Sequence, residues 1–122
     1  MATLLVSLTA CAGDADVNGT IHGPALARQI ASGQAPTIVD VRSGREYRSG
    51  HVPGAIHLPF WLAWLRADDL EAPRDRPVVV YCEHGPRATL AARSLRSAGF
   101  RQILYLDGHM AGWRKAGLPM EK

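Results

Sequence analysis

The chain has 122 residues, 47% of them hydrophobic and 20% charged, enough for one conventional core and too few for two domains, which cluster near about 100 to 150 residues. A formal charge of +3 from 14 basic residues, mostly arginines scattered between aliphatic segments, fits a small anionic substrate and lacks the basic stripe with stacking aromatics that nucleic acid would ask for. Two cysteines, Cys11 and Cys82, cannot build a disulfide framework or a metal cluster, and no apolar run reaches the roughly 18 to 20 residues of a transmembrane span.

Residues 1–16 form an amino-terminal tail. Its apolar stretch ends in Leu8-Thr9-Ala10-Cys11 and resembles the end of a bacterial lipoprotein signal, with Cys11 as a candidate lipid anchor. That would place the protein in the periplasm or cell envelope. No Lys or Arg precedes the stretch, and it is short for an export signal; a longer precursor would supply both. The alternative is a frayed tail with an incidental cysteine on a cytoplasmic protein.

From Val17 onward, short β-branched runs alternate with helical stretches, the pattern of an α/β domain whose parallel sheet is covered on both faces. Residues 17–122 read as that domain. Gly23-Pro24 opens a helix over 25–31, with Leu26 and Ile30 on one side and Ser32-Gly33 ending it. Thr37-Ile38-Val39-Asp40-Val41 is a buried strand by length and β-branching. A short polar helix over 43–49 stops at Gly50, Val52-Pro53-Gly54 turns, and a brief strand covers 55–58. After Pro59, Phe60-Trp61-Leu62-Ala63-Trp64-Leu65 reads as a short helix whose aromatics are expected in the core. A charged loop over 72–76 precedes Pro77-Val78-Val79-Val80-Tyr81, the most strand-like run in the chain. A helix over 87–98 is expected to bury Leu90, Ala91 and Leu95 on one face and to end at Gly99. A last strand over 102–106 leads through Asp107-Gly108 into a helix over 110–115, closed by Gly117.

Cys82 follows the strongest strand and precedes a helix, the place where open parallel sheets bind ligands. A free thiol with a pKa near about 8.5 is only slightly ionised at neutral pH, but helix amides and a nearby arginine can lower it by about two units. Gly85 permits a curled loop, so that the N–H groups of Glu83, His84, Gly85 and Arg87 can point at a charged sulfur or an oxyanion. Pro86 suits a first helical position and lacks a donor. Arg87 adds a permanent positive charge. His84 reads equally as a proton donor to a leaving group and as a solvent-facing loop residue. The plain alternative for Cys82 is a cysteine packed at a strand end, but packing alone does not require the glycine, the helix start and the arginine as well.

Three motifs resemble those of single-domain rhodaneses, and the resemblance spans 17–122. The first is Ile38-Val39-Asp40-Val41-Arg42, then Glu46-Tyr47 and Gly50-His51-Val52-Pro53-Gly54-Ala55-Ile56-His57-Leu58-Pro59. The second is Tyr81-Cys82 with its loop to Arg87. The third is Tyr105-Leu106-Asp107-Gly108, then Gly112-Trp113 and Ala116-Gly117-Leu118-Pro119. The resemblance implies a five-stranded parallel sheet with helices on both faces and a sulfurtransferase that works without cofactor or metal. Cys82 would take a sulfane sulfur from thiosulfate or another persulfide donor and pass it to a thiol or cyanide acceptor, in a two-step covalent exchange. Glu83, His84, Gly85, Pro86, Arg87 and Arg42 would line the substrate. Asp40, Arg42, Glu46 and His51 match family positions and are expected as an ion-pair lattice beneath the site, Arg42 being the one that could also face the anionic donor as a second cation.

Two departures stand out. Glu83 sets a negative charge beside the nucleophile where related loops carry a neutral or basic residue, which opposes a dianionic donor if it points inward. Ala88 replaces a common serine and removes a hydroxyl donor. Phosphatases and arsenate reductases of similar fold hold five residues between cysteine and arginine, whereas Cys82 and Arg87 enclose four. A further alternative is a non-catalytic rhodanese-like module that carries or senses sulfur.

Overall fold

The structure, a computed structural model, describes residues 19–122. The tail over 1–16, with Cys11, lies outside the described residues. Strand β4 (Val78–Tyr81) is buried at every position, which requires cover on both sides. Val78, Val80 and the following Cys82 pack on one face, Val79 and Tyr81 on the other, as the two-residue period of a strand dictates.

Around it lie β1 (Thr20–Ile21), β2 (Thr37–Asp40), β3 (Ile56–His57) and β5 (Ile103–Leu106), in the spatial order β1-β5-β4-β2-β3. Every pairing is parallel, with Asp40 opposite Tyr81 and Val80 opposite Tyr105. Helices α3 (Phe60–Arg66) and α4 (Pro86–Ser97) cover the Val80 face through Ala63, Ala88, Ala91, Ala92 and Leu95. Helices α1 (Gly23–Ala31) and α5 (His109–Lys115) cover the Val79 face through Leu26, Met110 and Trp113, and α2 (Gly44–Ser49) adds Tyr47 to it. The expected five-stranded parallel sheet with helices on both faces is therefore present.

Chain order reverses between β4 and β2, one running on to β5 and the other to β3. The crevice beyond their carboxyl ends is where such sheets bind ligands. Arg42 lies just past the end of β2, and Cys82 immediately follows β4.

Two expectations about packing are corrected. Trp61 and Trp64, expected in the core, are not core residues, and neither is the neighbouring Leu65; Trp64 is 73% exposed. The seven-residue α3 turns Ala63 inward, so residues at i−2, i+1 and i+2 fall on its outer side at 100° per residue. Leu90 is likewise 50% exposed. The inner stripe of α4 runs Ala88, Ala91, Ala92 and Leu95 at i, i+3, i+4 and i+7, and Leu90 lies off it.

Candidate active site

The loop after β4 is shaped by one glycine and one proline. Gly85, at φ 132° and ψ −43°, occupies a region closed to other residues and caps α4, whose first residue is Pro86. The curl brings the Gly85 N–H to 3.0 Å from the Cys82 sulfur, to which it donates. The Ala88 N–H, in the first turn of α4, also donates to it. Burial works against an ionised thiol, but a hydrogen bond with the His109 ring and these two amides outweigh it, bringing the Cys82 thiol down from 9.0 to about 7. Much of it is thiolate at neutral pH.

Beneath the loop is a buried charge lattice. Asp40 accepts from the Arg42 backbone N–H at 2.9 Å, from Arg42 Nη2 at 2.8 Å and from the Tyr81 hydroxyl at 2.7 Å. Burial, then the Asp40 charge, push the Tyr81 hydroxyl well above its usual range, so it remains a donor. It also accepts from the Val52 N–H at 3.0 Å. Arg42, only 1% exposed, further donates to the Gly50 carbonyl at 2.8 Å and to Glu83 Oε1 at 3.2 Å. His51 stacks on Tyr47 with ring centroids 3.8 Å apart and bonds the Tyr47 carbonyl oxygen at 2.8 Å.

The rim is paired as thoroughly. Arg87 Nη1 and Nη2 donate to the two oxygens of Glu46 at 2.6 and 2.9 Å. Glu46 also completes a capping box with Ser43, which starts α2. Glu83 is committed to arginines: Arg114 Nη1 donates to its Oε2 at 2.8 Å, and Arg114, then Arg42, hold its carboxyl below the usual range. Three guanidiniums, of Arg42, Arg87 and Arg114, thus answer three carboxylates, of Asp40, Glu46 and Glu83.

Of the residues expected at the substrate, Gly85 donates to the Cys82 sulfur, Arg87 lies near enough to feel its charge, and Pro86 opens α4 between them. The His84 side chain is exposed and makes no hydrogen bond with the described residues. Arg42 is brought beneath the loop but committed to Asp40, Gly50 and Glu83. Three contributors were not expected. The Ala88 amide rather than a hydroxyl serves the sulfur, Arg114 anchors Glu83 from α5, and the His109 ring accepts from the Cys82 N–H at 3.2 Å through Nδ1. A first-turn helix amide needs no special side chain to be found; His109 and Arg114 lie 27 and 31 residues from their partners, beyond any local pattern.

Residues 24–116 match the family described as the Rhodanese-like domain. A sulfurtransferase of Allochromatium vinosum is 33% identical over 100 residues, covering 82% of this chain and 92% of that protein. The HTH-type transcriptional regulator Rv0324 of Mycobacterium tuberculosis is 41% identical over 99 residues, and the match spans 80% of this chain but only 42% of the regulator. The crystal structure of the Alr3790 protein from Anabaena superposes with a TM-score of 0.73 at 33% identity, covering 82% of this chain and 89% of that one.

Proposed function

The chain belongs to the rhodanese-like domain family, and on that premise we propose that it is a sulfurtransferase carrying a sulfane sulfur on Cys82. The observation that supports this best is the sulfur at the carboxyl end of β4, held by the Gly85 and Ala88 amides and brought down to about 7, where about half of it is ionised at neutral pH. In the first step the Cys82 thiolate attacks the outer sulfur of a donor R–S–SH. A bond forms between the two sulfurs, the donor's S–S bond breaks, and its electron pair leaves on R–S−. In the second step an acceptor thiolate, or cyanide, attacks the outer sulfur and the electron pair returns to Cys82.

The pairing of the six charges bears on the donor. Thiosulfate is a dianion, and each guanidinium near the loop is already neutralised by a carboxylate, so little net field draws it in. A less charged persulfide donor suits the site better. Arg42, buried and bonded on several sides, braces the floor instead of facing the donor. Four residues between Cys82 and Arg87, one of them Pro86 without an N–H, favour a single sulfur over a wrapped phosphate.

The test is intact mass after treatment with a persulfide donor and, separately, thiosulfate. One added sulfur atom is expected, removable by cyanide as thiocyanate, and absent in Cys82→Ser. A sulfur adduct on the serine variant, or phosphate release from an aryl phosphate, overturns the reading. Similarity to a transcriptional regulator supports a second one, a module that holds persulfide as a signal; it predicts loading without catalytic turnover to thiols.

A further inference from the structure

His109 is the one non-glycine residue with positive φ among the described residues, at φ 52°. L side chains avoid this left-handed region, histidine less than most. An outlier of this kind is worth tracing to what it positions. The backbone on either side is pinned to the Cys82 loop: the Met110 N–H donates to the Cys82 carbonyl at 3.0 Å, and the Ala111 N–H to the Glu83 carbonyl at 3.2 Å. From that unusual conformation the imidazole lies half-buried against the loop.

Its two nitrogens are committed differently. Nδ1 accepts the Cys82 N–H at 3.2 Å, and a nitrogen that accepts cannot carry the ring proton of a neutral imidazole. The proton therefore sits on Nε2. That edge is turned to Gly85: a side-chain carbon placed on Gly85 would stand 3.2 Å from Nε2. Gly85 is the residue whose N–H reaches the sulfur. The absence of a side chain at Gly85 thus serves two purposes, the curl of the loop and room for the ring.

We propose that His109, locked as its Nε2–H tautomer by the Cys82 amide, is a catalytic residue that donates to the Cys82 sulfur and keeps it anionic for attack. The inference rests on the sulfur-transfer reading above and extends it to a residue of α5. The ring acts as a neutral donor, so no proton leaves it during the exchange. Donation from Nε2 would add to the hydrogen bond that the Gly85 N–H makes to the sulfur at 3.0 Å, and the ring is among the groups that lower the Cys82 thiol. The other charged or titratable groups around the loop are Arg87 from α4 with Glu46 of α2 behind it, Arg42 after β2, Arg114 from α5, and Glu83 and His84 of the loop itself. None of these is changed by substituting His109.

The experiment compares wild type, His109→Gly and His109→Gln by rate of alkylation with iodoacetamide across pH, with thermal melting alongside. Glycine relieves the positive φ while removing the ring, so its melting temperature should hold or rise. Its alkylation midpoint should nevertheless move up by about one unit, a roughly fivefold loss of thiolate at neutral pH. Glutamine, which restores an N–H donor at similar reach, should recover part of the shift. Coincident profiles for wild type and glycine variant overturn the proposal. If the glycine variant fails to fold, His109→Leu against His109→Gln makes the same comparison, and equal midpoints again overturn it. Alkylation does not depend on sulfur transfer, so persulfide loading of wild type, measured by mass, separates failure of this proposal from failure of the Cys82 reading.

Discussion

Arg87 and Glu46 are joined by two parallel hydrogen bonds, 2.6 and 2.9 Å long, that tie the first turn of α4 to the first turn of α2 across the mouth of the site. The same carboxylate accepts the Ser43 hydroxyl at 2.9 Å and the Ser43 N–H at 3.1 Å. One side chain thus closes the start of a helix and orients the loop arginine.

Acid stability should report this pair. The Arg87 hydrogen bonds hold the Glu46 carboxyl down to about 2 against an ordinary 4.5. A carboxyl with a depressed folded-state pKa stabilises fully above its unfolded value, and the gain disappears as pH falls through the folded one. Wild type should therefore exceed Glu46→Gln in urea unfolding at about pH 6, and the two should converge near about pH 2. A constant difference across that range would show that the pair does not contribute through charge.

Much of this architecture is legible before any coordinates. The run Val78-Val79-Val80-Tyr81 reads as a strand buried on both faces because β-branched and aromatic residues leave no polar side, and Cys82 follows at its end. The Ser43-Gly44-Arg45-Glu46 spacing is a capping-box signature, but its second use, gripping Arg87, joins residues 41 apart and leaves no periodic trace. Trp61 and Trp64 are misplaced for a different reason. Hydrophobicity states what a residue would prefer to bury, whereas a seven-residue helix seated on Ala63 has only one narrow face to bury. His109 is hidden because its signal is a backbone angle, φ 52°, and not a residue pattern.

Removal of the Asp40 charge should unfold the site's floor. Asp40 is fully buried, and its carboxylate offsets an Arg42 guanidinium that is itself buried. Asn at this position keeps the shape but leaves the cation with Glu83 as its one charged partner among the described residues. Breaking a buried pair by removing one member costs about 3 to 5 kcal/mol. Asp40→Asn should lower the midpoint of urea unfolding accordingly, with loss of persulfide loading following from the unfolded fraction. A change near that of a surface mutation, about 0.5 kcal/mol or less, would show that Glu83 and the Gly50 carbonyl suffice for Arg42.

The Cys82 thiol should titrate in both reactivity and stability. With a folded-state pKa of about 7 against 9.0, the rate of alkylation should rise with a midpoint near about pH 7. An acidic group depressed in the folded state stabilises most above its unfolded value and loses that contribution as pH falls through the folded one. Wild type should therefore gain stability between pH 7 and 9 relative to Cys82→Ser. A flat difference across that interval, or an alkylation midpoint near that of a free thiol, would contradict the donor set around the sulfur.

Glu83 sets the balance of charge at the mouth, and its replacement should change which donors are used. Its carboxylate is shared between Arg42 at 3.2 Å and Arg114 at 2.8 Å. In Glu83→Gln the single amide oxygen can keep the contacts of Oε1, with Arg42 at 3.2 Å and Arg114 Nη2 at 3.4 Å, while the amide NH2 replaces the oxygen that accepts from Arg114 Nη1; the hold of Arg114 loosens, and three cations then face two carboxylates. The excess positive charge lies within a Debye length of the Cys82 loop, about 8 Å at physiological salt. A dianion should respond to it more than a monoanion. Expected is a severalfold rise, about fivefold, in kcat/KM for thiosulfate at low ionic strength, shrinking as salt is added, with a smaller change for a simple alkyl persulfide, which carries at most one negative charge. The salt dependence separates a field effect from a geometric one: a rise that persists at about 1 M salt, where the Debye length is about 3 Å, would mean that glutamine had repositioned the loop. No rise at any salt would mean that Glu83 does not limit use of the dianion.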